Sequence, residues 1–432
     1  MWEIHEFQEM LRDTKRFLTA YLIIDKPRPN TFTEYAASFR QLAVWMFQNN
    51  YRDFSQLDDD ARESYFDYLC AKYYDEDCAI KVVSTTIDRQ IGVITLLFKH
   101  RDRFIDIPNL QIALGELRNL EWSGVARKRG ARAADKIPAV PEEVFRPMMR
   151  EALCWVDEKS SDVIELLRMQ EEAANRSLAW NSNNYTYYIN RRLTGFQFKV
   201  LPMAAGPWRP DLAAVEYRQE ADENGTTRNG LRPLSIIREL ASHLIAACAI
   251  VIQGLTGIRV SELMGLEEED DVPDGQWPSC IVVRPSIDGL NDVFLLRGKV
   301  FKGVHGEDDV GEVHWVVGLR PVGSSFIPPV VRAVQTLSLV VQGWRPLSSV
   351  RNIFLYPKMA GMPRAKNSAG SMLSETLRRI QQSFLENCVQ LPIAFLGWPI
   401  TSHQFRKKFA QDIVRCDPDA MPAIREHFKH VS

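Results

Sequence analysis

The sequence lacks several features that would assign the chain to a specialised class of protein. Its longest uninterrupted apolar run, Leu244 to Ile252, has nine residues, whereas a membrane-spanning helix needs about 20. The N-terminus, MWEIHEFQEM, is acidic and does not resemble a secretory leader. None of the seven cysteines forms a CxxC pair, and the closest two, Cys70 and Cys78, have no histidine nearby. These absences predict a reduced, cytoplasmic protein without a membrane span or a structural zinc.

An overall excess of basic charge is also missing. The 53 lysines and arginines are balanced by 55 acidic residues, which gives a formal net charge of −2, so the bulk composition does not indicate nucleic-acid binding. The charge is nevertheless segregated locally. The segment from Arg127 to Lys136 holds five cations and one anion, and the run Glu267–Asp271 is wholly acidic. Because short charged runs usually form solvated surface, the basic segment needs further support before it indicates a binding site.

The first third of the chain is patterned as helices. At 432 residues, of which 45% are hydrophobic, the chain is long enough for two or three domains with their own cores. Apolar residues recur at helical spacing over 31–49, over 59–74 and from Ser84 onward. Thr31 and Glu34 match a capping box that would open the first of these helices. We therefore expect an all-helical domain within residues 1–126.

A basic, proline-containing segment follows and predicts a linker over 127–140. A helix is expected from Pro141, another over 162–175, and a strongly apolar one over 235–254. Three β-rich runs then occupy 280–284, 292–302 and 311–318, with a turn at Asp288-Gly289 between the first two. From Pro328 to the end the pattern is helical. The sequence therefore predicts an α-helical N-terminal domain plus a mainly helical α+β domain with a small three-stranded antiparallel sheet.

The string LTGIRVSELMGL, residues 255–266, is the most informative in the chain. Gly257 permits a tight turn after the apolar helix, and Ser261 is expected to cap the next helix. Arg259 would then project beside a helix N-terminus, where unpaired N–H groups favour the same anion as its guanidinium. The alternative is that Arg259 simply pairs with Glu262. The sequence alone leaves these two interpretations open.

A second string, ITSHQFRKKFAQDIV at residues 400–414, predicts an amphipathic helix. Phe405, Phe409 and Ile413 recur at intervals of four and would be buried on one face. His403 and Arg406 are three residues apart, so they share another face near the helix start. Side by side, a histidine and an arginine can donate hydrogen bonds to phosphate oxygens and stabilise developing charge. A lone His-x-x-Arg pair is nevertheless weak, because structural pairs of this kind are common.

Taken in order, these strings resemble the motifs of the tyrosine recombinase (phage integrase) family. TGIRVSEL resembles the family's first-arginine motif, and HQFRKKFA resembles its His-x-x-Arg motif. A third string, IREHFKHVS at 424–432, is similar to the Leu-Gly-His motif, with Phe428-Lys429-His430 in its place. The resemblance covers about residues 30–155 and 235–432. It implies a helical core-binding domain over 1–126 that clamps DNA, a basic linker, and a catalytic domain over 141–432.

The resemblance also implies roles for individual residues. Arg259 and Arg406 would bind the scissile phosphate, His403 would assist proton transfer, and His430 would donate to the phosphate in the transition state. Lys302 would be the hairpin lysine that protonates the leaving oxygen, with Lys299 as second choice. The family needs no cofactor or metal, since arginines supply the positive charge. The partners implied are double-stranded DNA and further copies of the chain, as dimer to tetramer on DNA. Linker residues expected along the DNA backbone are Arg127, Lys128, Arg129, Arg132 and Lys136.

The chain departs from the family pattern in two places. Residues 156–234 look like an insertion, and no tyrosine follows the third motif, where the family's nucleophile lies: the twelve tyrosines end at Tyr356. The first hypothesis is a site-specific recombinase that lacks its last segment and therefore binds DNA without cleaving it. The second is a degenerate, non-enzymatic DNA-binding relative. A type IB topoisomerase is a third, which the N-terminal helical domain fits less well. In all three, Arg259 and Arg406 should lie together in one basic pocket.

Overall fold

The chain divides into two compact units, the first spanning Met1–Lys136 and the second comprising Ile137–Val304 and Asp308–Ser432. This division falls inside the segment where the sequence predicts a linker. The computed structural model describes residues 5–27, 29–72, 80–114, 124, 131–132, 137–179, 192–193, 195–202, 204–210, 212, 220–221, 227–228, 233–269, 277–300, 311–359 and 361–429. The predicted fold class is confirmed: the chain is mainly helical with a small three-stranded antiparallel sheet.

The first unit is built from helices packed around an aromatic core. Its described helices are α1 (His5–Asp25), α2 (Pro29–Gln48), α3 (Asp59–Lys72) and α4 (Ser84–His100), and two short strands, β1 (Ile80–Val83) and β2 (Ala131–Arg132), pair in parallel. The core contains the fully buried rings of Phe17, Phe39, Trp45, Tyr65 and Phe66. The α1 helix is an addition to the sequence prediction, and Phe7, Met10 and Phe17 from it are buried.

The predicted helices of the first unit are present, but one predicted helix start is wrong. The α2 helix begins at Pro29, so Thr31 lies within its first turn and cannot form the predicted capping box with Glu34. Proline fits the first turn of a helix because the missing N–H has no intrahelical partner there. The inward face predicted for α4 is confirmed, since Ile87, Ile91, Ile94 and Leu97 are all buried.

The second unit is organised around one long apolar helix, α7 (Pro233–Thr256). The helices that pack on it are α5 (Glu142–Cys154), α6 (Ser160–Ala179), α9 (Pro329–Val341), α10 (Ser374–Cys388) and α11 (Ser402–Cys416). The segment Leu234–Thr256 is long and apolar enough to cross a membrane. The sequence prediction of no membrane span rested instead on the nine-residue length of its longest uninterrupted apolar run. In the fold, 83% of the most apolar stretch of α7 is buried, so its hydrophobicity is that of a core helix.

The three-stranded sheet has the order β5–β6–β7 and is antiparallel throughout. Its strands are β5 (Ile281–Pro285), β6 (Asn291–Lys299) and β7 (Glu312–Pro321). Leu296 at the centre of β6 faces Ile281 on β5 and Trp315 on β7, and all three side chains are buried. The predicted turn contains Gly289 in the left-handed region, with φ of +68°. The prediction placed the end of the second strand at residue 302, but β6 ends at Lys299.

One further prediction for the second unit is wrong. The chain after Pro328 is not wholly helical, because β8 (Leu355–Pro357) and β9 (Ala369–Ser371) form an antiparallel hairpin before α10. Within the segment 156–234, which the sequence predicts to be an insertion, α6 buries Val163 and Leu166 in the core of the second unit. Of its later residues, β3 (Glu220–Ala221) and β4 (Thr227–Arg228) are described as a short antiparallel pair. Two short helices, α8 (Val260–Met264) and α12 (Met421–His427), complete the unit.

Candidate functional site

The turn between α7 and α8 brings Arg259 to the start of a helix, as the sequence predicts. Gly257 adopts a φ of +60°, and its N–H donates to the Gln253 carbonyl oxygen at 2.8 Å. Arg259 is itself the residue that caps α8, and its backbone N–H donates to Glu262 Oε2 at 2.9 Å. The predicted cap by Ser261 is wrong, because Ser261 lies inside α8, where the Glu262 carboxylate already takes the capping role.

Arg259 pairs with Glu262, which is the alternative that the sequence leaves open. Its Nη1 lies 2.6 Å from Glu262 Oε1, and the carboxylate is buried, with 1% of its side chain exposed. The same Nη1 donates to the main-chain oxygen of Phe428 at 3.2 Å. The Arg259 side chain keeps 18% of its surface exposed. A guanidinium carries several N–H donors, so this pairing leaves Arg259 able to bind a further anion.

Arg406 lies beside Arg259 and is more deeply buried. From α11, its Nη1 donates to the Gly257 oxygen at 2.8 Å and its Nη2 to the Phe428 oxygen at 3.0 Å. Burial, and after it the neighbouring positive charge of Arg259, lower the pKa of Arg406 to about 10, and the Glu262 carboxylate opposes the shift. The arginines of the two motifs therefore converge on one carbonyl oxygen.

Aromatic side chains close the inner side of this arginine pair. The Phe428 ring stacks on the Arg406 guanidinium, whose Cζ is 3.5 Å from the ring centroid, and it also contacts Phe409. His427 stacks on Phe409 with centroids 5.2 Å apart, and its Nε2 lies 2.7 Å from the Thr256 oxygen. Burial lowers the pKa of His427, against the opposing effect of the bond to Thr256. The neutral imidazole is therefore favoured, and its Nε2–H donates to that carbonyl.

His427 is a residue that the sequence comparison misses. Matching Phe428-Lys429-His430 to the Leu-Gly-His motif selects His430, whereas His427 is the histidine that contacts the turn before Arg259. A usable signal was present: Ile424, His427 and Phe428 are spaced three and four residues apart, which places them on one face of a helix. Lys429, at the position of the motif's glycine, has a φ of +50°, the left-handed conformation that glycine adopts most readily.

The other predicted site residues are placed differently or lie outside the described residues. His403 is exposed on the first turn of α11, whereas Arg406 is buried, so the two differ in environment although they are three residues apart. Of the linker residues, only the backbone of Arg132 is described, in β2. The remaining predicted residues lie outside the described part of the chain: Lys302, His430, Arg127, Lys128, Arg129 and Lys136.

Lys299, the second choice for the hairpin lysine, is bound at the other end of α8. Its Nζ lies 2.9 Å from both carboxylate oxygens of Glu267, which follows the C-terminus of α8, whereas Arg259 caps the N-terminus. The pair borders an open cleft of about 210 Å³ that is also lined by Arg297 and Glu312.

The three glutamates of the acidic run beside this cleft are each paired with a cation. Glu267 pairs with Lys299, Glu268 with Arg345 at 2.7 Å, and Glu269 with Arg297 at 3.4 Å. Glu268 is 5% exposed and also accepts a hydrogen bond from Ser338. The three consecutive carboxylates therefore tie the end of α8 to β6 and to the segment after α9.

The α11 helix, and with it Arg406, is held by an ion cluster around the buried Lys408. Lys408 is 3% exposed, and its Nζ lies 2.7 Å from Glu142 Oε1 at the start of α5 and also bonds Asp412. Arg415 reaches the same Glu142 oxygen at 3.2 Å. Lys408 foremost, then Arg146 and Arg415, lower the pKa of Glu142 to about 2, against the opposing effect of burial. The neighbouring Lys407 donates to the Ile137 oxygen at 2.6 Å.

Two further observations bear on the chemistry of the site. Tyr356, the last tyrosine of the sequence, contacts Ser242 in the first half of α7, whereas Arg259 follows the C-terminus of that helix. Within the described residues there is no group of three or more histidine, cysteine, aspartate or glutamate side chains that could hold a metal ion.

No protein-family model matches the chain, and no curated protein matches it either.

Proposed function

We propose that the chain is a duplex-DNA-binding protein of the tyrosine-recombinase type, in which Arg259 and Arg406 bind a backbone phosphate. The observation that carries the proposal is the meeting of the two arginines at the Phe428 oxygen, at 3.2 and 3.0 Å. They come from two motifs far apart in the chain, and a phosphate clamp requires such groups to be positioned together before the ligand arrives. The order of the three motifs supports the same conclusion.

The electrostatics of the pair suit an anion of single charge. Two guanidiniums meet one carboxylate, Glu262, and the neutral form of His427 is favoured beside them. The described groups therefore leave a net positive charge in a partly buried position, where Coulomb interactions are stronger than in water. A phosphodiester carries one negative charge and presents two non-bridging oxygens to guanidinium donors.

The reaction that follows from the proposal is strand breakage and rejoining through a 3′-phosphotyrosyl intermediate. A tyrosine hydroxyl gives its proton to His403 as its oxygen attacks the phosphorus, the bond to the 5′ oxygen breaks, and Lys302 gives that oxygen its proton. The covalent link conserves the energy of the phosphodiester, so the strand is resealed by the reverse attack. The arginines stabilise the additional negative charge of the transition state, with His403 and His430 in supporting roles. Self-association on DNA and a role in integration or excision of DNA segments belong to the same proposal.

The binding part of the proposal is tested by neutralising the arginines. We expect Arg259→Ala and Arg406→Gln each to weaken binding to a duplex of mixed sequence by about tenfold, as for loss of a charged hydrogen bond. Each should also reduce the slope of log affinity against log salt by about one. The matched control is Arg378→Ala, which removes an exposed arginine paired with Glu375. Unchanged affinity in both site variants, with the thermal midpoint preserved, would contradict the proposal.

A non-enzymatic DNA-binding relative is the second candidate, and one observation favours it. Arg406 is 7% exposed and already donates to two main-chain oxygens, of Gly257 and Phe428.

The two candidates differ in covalent chemistry. We expect the 432-residue chain to bind a nicked suicide duplex without forming a protein–DNA adduct on a denaturing gel, because no tyrosine follows Tyr356. Reading the coding DNA beyond codon 432 separates them: a continuing frame with a tyrosine supports the recombinase, and a stop codon supports the relative.

A further inference from the structure

We propose that Phe428 is a positioning residue of the arginine pair: its carbonyl oxygen fixes the two guanidiniums, and its ring holds that oxygen in place. The inference rests on the proposed function, because it concerns how the phosphate-binding arginines are kept ready. The motif comparison gives a role to His430 and none to Phe428. The inference therefore comes from the contacts of Phe428 in the fold.

The first step is the shared acceptor. Arg259 Nη1 and Arg406 Nη2 donate to the same Phe428 oxygen, at 3.2 and 3.0 Å. The two guanidiniums carry like charges and repel each other, and this repulsion contributes to the lowered pKa of Arg406. A carbonyl dipole between them reduces the repulsion, and two bonds to one oxygen restrict the distance and angle between the guanidiniums. If the Phe428 oxygen moved away, two of the bonds named above would remain: the one from Arg259 to Glu262 and the one from Arg406 to the Gly257 oxygen.

The second step concerns the position of this carbonyl at the end of a helix. The Phe428 N–H donates to the Ile424 oxygen at 2.8 Å and so closes the last turn of α12. Lys429 then turns the backbone into the left-handed region, with φ of +50°. The final carbonyl groups of a helix have no intrahelical donor and carry the partial negative charge of the helix end. The Phe428 oxygen is such a group, and the two arginines supply its donors.

The third step is the anchoring of the carbonyl by the side chain. The Phe428 ring is 5% exposed, lies under Arg406, and packs against Phe409 and Gly257. A Cβ on residue 257 would lie 2.9 Å from ring atom Cε1, so only glycine lets the ring approach this closely. A shift of the ring would therefore move the oxygen that both arginines bind. Truncation of the side chain should loosen this arrangement although the carbonyl itself remains.

The test is a double-mutant cycle on duplex binding, followed by fluorescence anisotropy over a range of salt concentrations. We expect Phe428→Ala to weaken binding about tenfold, comparably to Arg406→Gln. Phe428→Leu, which keeps an apolar anchor, should bind nearly as tightly as the unmodified chain. The double variant Phe428→Ala/Arg406→Gln should be no weaker than either single variant, because both changes disable the same unit. If Phe428→Ala melts too readily for binding measurements, Phe428→Val takes its place.

Each outcome decides the question. The positioning role is supported if Phe428→Ala and Arg406→Gln lose equal amounts of duplex affinity and the double variant loses no more. A general loss of packing in Phe428→Ala would instead add to the loss of affinity from Arg406→Gln. Additive losses, or unchanged binding in Phe428→Ala, would overturn it. Tighter binding by Phe428→Ala would also overturn it, because the carbonyl would then compete with phosphate rather than prepare its site. If neither Arg259→Ala nor Arg406→Gln weakens binding, the proposed function itself fails, which is a distinct result.

Discussion

Gly257 is the residue at which the two arginine-bearing segments touch. It has a positive φ of +60°, its oxygen accepts a hydrogen bond from Arg406, and the rings of Phe409 and Phe428 fill the space where a side chain would be. A single residue without a Cβ therefore satisfies a backbone requirement and a packing requirement together. Gly289, in the β5–β6 turn, has the same kind of backbone, with φ of +68°, but open space around it.

The pair of glycines allows the two requirements to be measured separately. We expect Gly289→Ala to lower the free energy of unfolding by about 1 kcal/mol, the cost of a left-handed conformation in a residue with a Cβ. Gly257→Ala should cost about 1–3 kcal/mol more, because the added methyl group also displaces the rings. Urea unfolding of both variants at neutral pH measures the difference. Equal losses would mean that the packing against Phe428 does not constrain residue 257.

Residue types predicted the turn at Gly257 and offered the pairing of Arg259 with Glu262 as one of two interpretations, because both depend on neighbours in the sequence. The contact between His427 and the turn before Arg259 could not be predicted in the same way. It depends on which face of a short helix meets Thr256, a residue 171 positions away. The predicted cap by Ser261 was wrong for a related reason. Ser261 and Glu262 both carry side-chain oxygens that can accept a hydrogen bond at the start of α8, and only the fold shows that Glu262 is the one used.

Among the elements, α11 shows how far a helical pattern can be trusted. The apolar spacing correctly predicted the helix and the burial of Phe405, which is fully buried. The pattern could not predict that Lys408 would be buried as well, since a lysine ordinarily marks the solvated face. It is buried because Glu142, on a helix distant in sequence, lies opposite it with Asp412. The β8–β9 hairpin was missed because its strands have only three residues each, too few to show an alternating apolar pattern.

The Lys408–Glu142 cluster makes the stability of the second unit dependent on pH. The folded state lowers the pKa of Glu142 from 4.5 to about 2, so the cluster stabilises the fold fully above about pH 4.5. This stabilisation is lost as the pH falls towards 2. We expect Glu142→Gln to reduce the free energy of unfolding by about 1–3 kcal/mol at neutral pH, because Lys408 loses a charged partner. Urea unfolding of both proteins should show this difference narrowing between about pH 5 and pH 2.

The control for this experiment is Glu375→Gln, which removes the exposed partner of Arg378 on α10. Exposed pairs of this kind contribute about 0–1 kcal/mol. A difference between the unmodified chain and Glu142→Gln that stays constant from neutral to acidic pH would contradict the assignment of the effect to the Glu142 charge.

On the scale of the whole molecule, the sequence predicted the fold class. The fold class follows from averages over many residues, such as apolar periodicity. Within the segment 156–234, which the sequence predicts to be an insertion, α6 belongs to the core of the second unit. Its sequence has no match in the family pattern, yet its apolar face packs against α7 and α9. A departure from a family pattern therefore does not by itself mark a peripheral segment.

The basic segment between the two units yields a prediction for the whole chain. We expect simultaneous replacement of Arg127, Lys128, Arg129 and Arg132 by glutamine to weaken binding to all duplexes alike and to flatten its salt dependence. Contacts of this kind release counterions and carry little sequence information. Anisotropy titrations with two unrelated duplexes over a range of salt measure both effects. An unchanged salt slope would count against contact between this segment and DNA.

The three consecutive glutamates after α8 have a consequence for how this chain can vary. Each of them is paired with a different cation of the second unit: Glu267 with Lys299 and Glu269 with Arg297, both on β6, and Glu268 with Arg345 after α9. Replacing one glutamate disturbs one pair and leaves the other two in place. Inserting or deleting one residue before them would shift all three to the wrong partner at once. The segment should therefore accept point substitutions far more readily than changes in length, and homologous chains should keep the spacing from Arg259 to Glu268 even where the identities differ.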